Sequence, residues 1–229
     1  MRAWVRQYRQ DYLAHVQEWP QGLYTWQRNI VFVLPTVIGC IAYFIFSRLH
    51  PEIDLEQLYP RISTVFQWIT HQVKNIFYVL YLVLLADALR KRDFPRQRLV
   101  WRVILFQLLI SLIAVHILKR SLGFPRPGYT DITPFTGQSS HHSMPSGHTT
   151  DIFVSAFPLA LYYWNRWRHG IAVLCCGAAT LVAFSRIWIH SHHPQDVLAG
   201  VLLASLATYL LTTSRWPLAT KKPSTARTH

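Results

Sequence analysis

Long apolar runs separated by short basic, polar or proline-containing segments organise this chain. The first, NIVFVLPTVIGCIAYFIFS (Asn29 to Ser47), is just long enough to cross about 30 Å of hydrocarbon as a helix, with Pro35 placed to kink it. After the polar stretch HPEIDLEQLYP, residues Ile62 to Gln72 read as a short interfacial helix leading into a second span, Ile76 to Leu89. Leu99 to Leu118, Thr150 to Trp164, Gly170 to Ile189 and Pro194 to Thr213 complete the set. The pattern predicts an all-α polytopic membrane bundle of about six transmembrane helices. Ahead of it, Trp4, Tyr8, Tyr12, Val16 and Trp19 recur at helical spacing beside Arg2, Arg6 and Arg9, as in a helix lying among lipid headgroups. The expected division is therefore an amphipathic interfacial segment at 1–28, a transmembrane domain at 29–213, and a disordered cytoplasmic tail at 214–229.

Composition sharpens this picture. Of the 229 residues, 51% are hydrophobic and only 14% charged, which excludes a disordered chain. The net charge of +13 would ordinarily suggest nucleic acid as a partner. Here the basic residues sit between apolar runs and the mean hydropathy is +0.17, so the bilayer is the expected partner and nucleic acid is not. Cys40, Cys175 and Cys176 all fall inside apolar runs and imply no disulfide framework. No apolar core of signal-peptide type precedes Pro20, so cleavage is not expected. With the N-terminus in the cytoplasm, 16 of the 23 Lys and Arg residues fall on the cytoplasmic side, and the positive-inside rule then places both termini there. The opposite face keeps nine of the twelve histidines.

Three blocks on that opposite face could do chemistry: KRSLGFPRP (Lys119 to Pro127), PSGH (Pro145 to His148) and SRIWIHSHHPQD (Ser185 to Asp196). Together they hold what phosphoryl transfer requires, which is positive charge and donors around the equatorial oxygens, a nucleophile, and help for the leaving oxygen. Arg126 and Arg186 can grip phosphate bidentately, with Lys119 as a more flexible point charge. Ser146 and Gly147 fit the turn opening a membrane helix, where backbone N–H groups point at an anion, although an ordinary serine cap reads the same way. His148 suits a general acid. Pro194 fits the first position of a helix, so Asp196 falls in its first turn and can reach back to one ring nitrogen of His192. Spacing alone leaves open which histidine attacks.

The ordered pattern K-x6-R-P, P-S-G-H, S-R-x5-H-x3-D is matched at Lys119, Arg126, Pro127, Pro145, Ser146, Gly147, His148, Ser185, Arg186, His192 and Asp196. It resembles the type 2 phosphatidic acid phosphatase family. The resemblance implies a membrane lipid phosphatase with His192 as nucleophile, a phosphohistidine intermediate, Asp196 and His148 as its catalytic partners, and a phosphate site built from Lys119, Arg126, Ser146, Gly147 and Arg186. It allows phosphatidic acid, phosphatidylglycerol phosphate, polyprenyl diphosphate or lipid A 1-phosphate as substrate, because the motifs read phosphate and not the lipid. The expected setting is a bacterial inner membrane, with the site facing the periplasm. A phosphotransferase using the same intermediate is compatible with the motifs. So is a rival of another class, a non-catalytic transport or metal-binding membrane protein built on His141, His142, His190 and His193. Against the latter, Lys119, Arg126 and Arg186 would repel a cation, so no metal or other cofactor is expected. Asp87, set in an apolar run, is expected to pair with Arg90 at the membrane boundary.

Overall fold

A computed structural model describes residues 7, 8, 10, 11, 24–164 and 169–213. In it the apolar runs become six helices. Helix α1 (Trp26–Leu49) starts at Thr25, whose hydroxyl accepts the Arg28 N–H at 3.2 Å, and carries Pro35 within it. After a one-turn helix Leu55–Leu58 capped by the Asp54 carboxylate, α2 (Pro60–Lys91) begins with proline at its first position. The third, α3 (Phe94–Leu122), starts at the Asp93 cap and contains a π-helical stretch, Gln107–Ala114. It ends at Gly123 in the left-handed conformation (φ +62°), where a Cβ would lie 2.3 Å from the Thr133 backbone. Then come α4 (Gly147–Tyr162), α5 (Gly170–Trp188) and α6 (Pro194–Thr213).

Two expectations need revision. The interfacial helix at Ile62 to Gln72 and the span at Ile76 to Leu89 are one continuous helix of 32 residues, α2. His71, Gln72, Lys74 and Asn75 interrupt the apolar run, but no glycine or proline lies between Arg61 and Lys91 to break the backbone. Asp87 pairs with Lys91 at 2.9 Å and with Arg96 at 2.7 Å rather than with Arg90, because α3 brings Arg96 back over the end of α2. Of the N-terminal aromatic stripe, only Tyr8 is among the described residues, donating to Gln97 and meeting Phe94 edge-on. Trp4, Tyr12, Val16, Trp19 and the tail at 214–229 lie outside them.

Helix α4 is the hub, packed against α2, α3, α5 and α6. Its Phe157 stacks on Phe32 of α1 at 4.4 Å between centroids, and Phe153 meets the same ring edge-on at 5.6 Å. The faces that α5 and α6 turn inward carry Ala179, Ala183, Ala204 and Ala207, small side chains that let helices approach where no water drives them together. Outward, Ile30, Leu34, Ile38, Leu112, Leu174 and Leu202 present the apolar surface that lipid requires. Helices α1, α2, α3, α5 and α6 are long and apolar enough to cross a bilayer. The sixteen residues of α4 span about 24 Å and are sheltered by the others. The chain is a multi-pass, all-α membrane bundle, with no strand among the described residues.

Helix α6 approaches the start of α4 closely at Gly200. A Cβ there would lie 2.9 Å from the Ser146 carbonyl oxygen and 3.1 Å from Thr150 Oγ1. Gly200→Ala is therefore expected to destabilise the detergent-solubilised protein by about 1–3 kcal/mol through overpacking. Gly177→Ala, where nothing lies within 4 Å, should be neutral or slightly stabilising through helix propensity. Thermal unfolding of the two variants checks the pair, and equal shifts would contradict this packing.

Candidate functional site

All eight residues singled out in the sequence come together at one end of the bundle. Lys119 stands in the last turn of α3 and Arg186 in the last turn of α5. Ser146 precedes α4, Gly147 and His148 open it, and Asp196 lies in the first turn of α6. Arg126 and His192 come from the intervening segments. The segment between α3 and α4 is folded back on itself by backbone bonds, Arg126 N–H to the Ser140 carbonyl at 2.8 Å and Ser143 N–H to the Phe124 carbonyl at 3.0 Å. His141 and His142 help hold it, donating from Nδ1 and Nε2 to the carbonyls of Asp131 and Thr136, each at 2.9 Å. His190 instead lies 3.1 Å from the Tyr43 hydroxyl and within 3.9 Å of Asp54 and Glu56. His141 and His142 are thus engaged apart from His190, and no group of three or more His, Cys, Asp or Glu among the described residues is placed to hold a metal ion.

At the centre, the Arg186 carbonyl accepts the N–H groups of Ser191 and His192, both at 3.1 Å, turning the chain so that His192 points inward, 2% exposed. Its Nδ1 lies 3.6 Å from Asp196 Oδ2 and 3.3 Å from Ser143 Oγ, and the Ser143 hydroxyl donates to the same carboxylate oxygen. Asp196 Oδ2 also accepts the His193 N–H at 2.8 Å, the reach-back of a capping box. Asp196 thus faces His192 directly, and Ser143 bridges the two beside that contact. The three blocks pass over Ser143, whose position depends on how the α3–α4 segment folds.

Three further polar atoms of the site are unpaired. Arg126 Nε and Arg186 Nε, both donors, and His148 Nε2, a donor or acceptor according to its tautomer, are buried with no hydrogen-bond partner. A buried donor left unpaired costs about 1–3 kcal/mol, so the two guanidinium nitrogens mark a place for an acceptor-rich group beside His148. The Ser146 side chain makes no cap bond to the α4 backbone; its Oγ accepts from Thr149 instead. The first turn of α4 therefore keeps its N–H groups available for an anion. Its backbone at Gly147 runs beneath the Lys119 ammonium, which is 3.7 Å from where a Cβ would be. Burial first, then the charges of Lys119 and Arg186, holds His192 down at about 4 against the pull of Asp196, so its ring is neutral near pH 7.

What this arrangement can do is seat a tetrahedral anion among three cations and a helix N-terminus, with a neutral, oriented imidazole beside it. The chain is similar to several known proteins. The chain is 31% identical over 142 residues to a protein of Rhizobium johnstonii named "Lipid A 1-phosphatase", covering 53% of this chain and 55% of that one. It is 31% identical over 133 residues to "Lipid phosphate phosphatase 1" of Arabidopsis thaliana, covering 45% and 40% of the two chains. It is 27% identical over 120 residues to an "Undecaprenyl-diphosphatase" of Sulfolobus acidocaldarius, covering 51% and 56%. The chain thus spans about half the length of these relatives, or less. No solved structure matches. Residues 100–219, which carry all three motif blocks and every one of the eight site residues, match the PAP2 superfamily, and the chain belongs to it.

Proposed function

We propose that this chain hydrolyses a phosphomonoester or diphosphate of a lipid at the membrane–water interface, through a phosphohistidine. The observation carrying the reading is the set of buried, partnerless nitrogens of Arg126, Arg186 and His148 around a neutral His192 backed by Asp196. The equatorial oxygens sit between Lys119, Arg126, Arg186 and the N–H groups behind Ser146 and Gly147. His192 Nε2 attacks phosphorus as the bond to the lipid-side oxygen breaks, and Nδ1–H stays on the side of Ser143 and Asp196. Burial first, then the charges of Arg186 and Lys74, holds His148 down at about 2, so it is the seated anion that draws a proton onto His148, which then gives it to the leaving oxygen. Water, its proton taken back by His148, then attacks the phosphohistidine, releasing inorganic phosphate and restoring His192.

The same reading places the chain in a bacterial inner membrane with both termini cytoplasmic and the site facing the periplasm. Support comes from the 16-to-7 division of Lys and Arg, in which Lys119, Arg126 and Arg186 make up three of the seven. The lipid tails remain in the bilayer while the phosphate enters from its surface.

The test is release of inorganic phosphate by purified protein in detergent from a panel of phosphatidic acid, phosphatidylglycerol phosphate, polyprenyl diphosphate and lipid A. At least one should be hydrolysed, with inhibition by orthovanadate, which imitates five-coordinate phosphorus, and with no loss on adding chelator. Loss on chelation that a particular metal restores, or no release from any of the lipids, would contradict the reading.

A further inference from the structure

Between α2, α3 and the start of α4 lies a cavity of about 720 Å³ that Lys119, Gly147 and His148 share with the site just described. Its walls are mainly apolar, with Tyr81, Leu82, Val103, Leu108 and Leu112 among them, in a chain whose surroundings are lipid. An acyl or prenyl chain of a lipid whose phosphate sits at His148 has this continuous space to enter. The cavity nevertheless carries a polar cluster at membrane depth that the proposed chemistry does not use. Asp151 lies three residues beyond His148 on α4, about one turn or 4.5 Å deeper. Its carboxylate accepts the Tyr78 hydroxyl at 2.5–2.7 Å and the Gln107 amide at 2.8 Å, while Ser111 donates to the other end of that amide at 2.6 Å.

Three features set this cluster apart from ordinary helix packing. A carboxylate within a membrane bundle is costly, and no cation among the described residues forms a contact ion pair with Asp151; Lys74, on the wall of the same cavity, acts on it only from farther away. Gln107 and Ser111 both stand on the π-helical stretch of α3, a rare geometry that recurs at functional sites. Finally, the donors of Tyr78 and Gln107 are already spent on Asp151 and Ser155, so what these residues still offer the cavity is acceptor oxygen. An occupant matching it supplies an N–H or O–H just on the tail side of its phosphate. Polyprenyl phosphates have no such group, and phosphatidic acid has ester acceptors only.

We propose that Asp151, held by Tyr78 and Gln107, is a specificity-determining residue that accepts a hydrogen bond from the substrate lipid. The chain thereby selects lipid phosphates bearing an amide N–H or hydroxyl close to the phosphate over polyprenyl phosphates. This inference rests on the phosphatase reading above. A lipid lacking the donor leaves the buried carboxylate facing apolar chain, and sites built to hydrogen-bond a substrate discriminate strongly against analogues that cannot.

The test compares kcat/KM for N-acylsphingosine 1-phosphate with that for undecaprenyl phosphate in mixed micelles, for the unaltered protein, Asp151→Leu and the near-isosteric Asp151→Asn. Thermal unfolding identifies the variants that fold, and Asp151→Asn carries the comparison alone if the leucine variant does not. The unaltered protein should favour the amide lipid at least ten-fold. Each folded variant should lower that ratio at least ten-fold, mainly by raising KM for the amide lipid. An unchanged ratio in a folded variant, or no preference in the unaltered protein, overturns the specificity role while leaving the phosphatase reading standing. Hydrolysis of neither lipid nor phosphatidic acid by the unaltered protein overturns the phosphatase reading and this proposal with it.

Discussion

His192→Ala is expected to lower turnover by roughly 10⁴-fold or more, because it deletes the attacking nitrogen and leaves only the binding groups to act. The fold should survive. The backbone N–H of His192 keeps its bond to the Arg186 carbonyl, and Asp196 keeps Ser143 and the His193 N–H as partners. The unaltered enzyme also has a pH signature. With His192 held at about 4, its ring is neutral above that value, so the nucleophile is present throughout the neutral range and is lost as pH falls through about 4. A histidine titrating at its ordinary value would switch off two units higher. Phosphate release at pH 7 and thermal unfolding of the alanine variant, measured on one preparation, separate catalysis from folding. Substantial residual activity would remove His192 from the nucleophile's role.

Arg186→Lys is expected to reduce kcat/KM by about 10²-fold while keeping the charge. Arg186 is buried with its Nε unpaired, so the guanidinium is positioned to give an anion two parallel hydrogen bonds. Lysine offers a single, mobile ammonium in a site where Lys119 already supplies one. At about 1.4 kcal/mol for each factor of ten, the expected loss is about 3 kcal/mol of transition-state stabilisation. The carbonyl that anchors Ser191 and His192 belongs to the backbone and remains in place. The loss should therefore appear in steady-state kinetics and in weaker vanadate inhibition, without a comparable drop in unfolding temperature. An Arg186→Lys variant as active as the original would show that charge alone suffices at this position.

Much of this was legible in the sequence because membrane helices and short motifs leave local marks. Apolar run length gave the helices from Asn29, Gly170 and Pro194 nearly as they stand, whereas the run from Leu99 to Leu118 is the middle of a longer helix that opens at Phe94 and closes at Leu122. Pro194 and Asp196 announced the start of α6 through the chemistry of helix N-termini. The continuity of α2 was hidden because the polar residues His71 to Asn75 read as an interruption in hydropathy, whereas backbone hydrogen bonding runs straight through them. The partners of Asp87 depended on a turn, at Arg92 (φ +55°) and Asp93, that returns Arg96 across the end of α2. Ser143 bonds across 53 residues to Asp196, and no periodicity encodes such a contact. Asp151 stood inside a run read only as apolar. Its partners come from two other helices, so its place became visible with the packing of α2, α3 and α4.

The most direct measurement of the central claim is rapid acid-free quenching of the purified protein with a lipid substrate carrying labelled phosphate, followed by peptide mapping. A phosphohistidine transferred stoichiometrically to His192, labile to acid and stable to base, formed before phosphate is released and absent in His192→Ala, is the result this account predicts. Label on a different residue, or single-turnover hydrolysis that proceeds with no covalent phosphate on the protein, would contradict it.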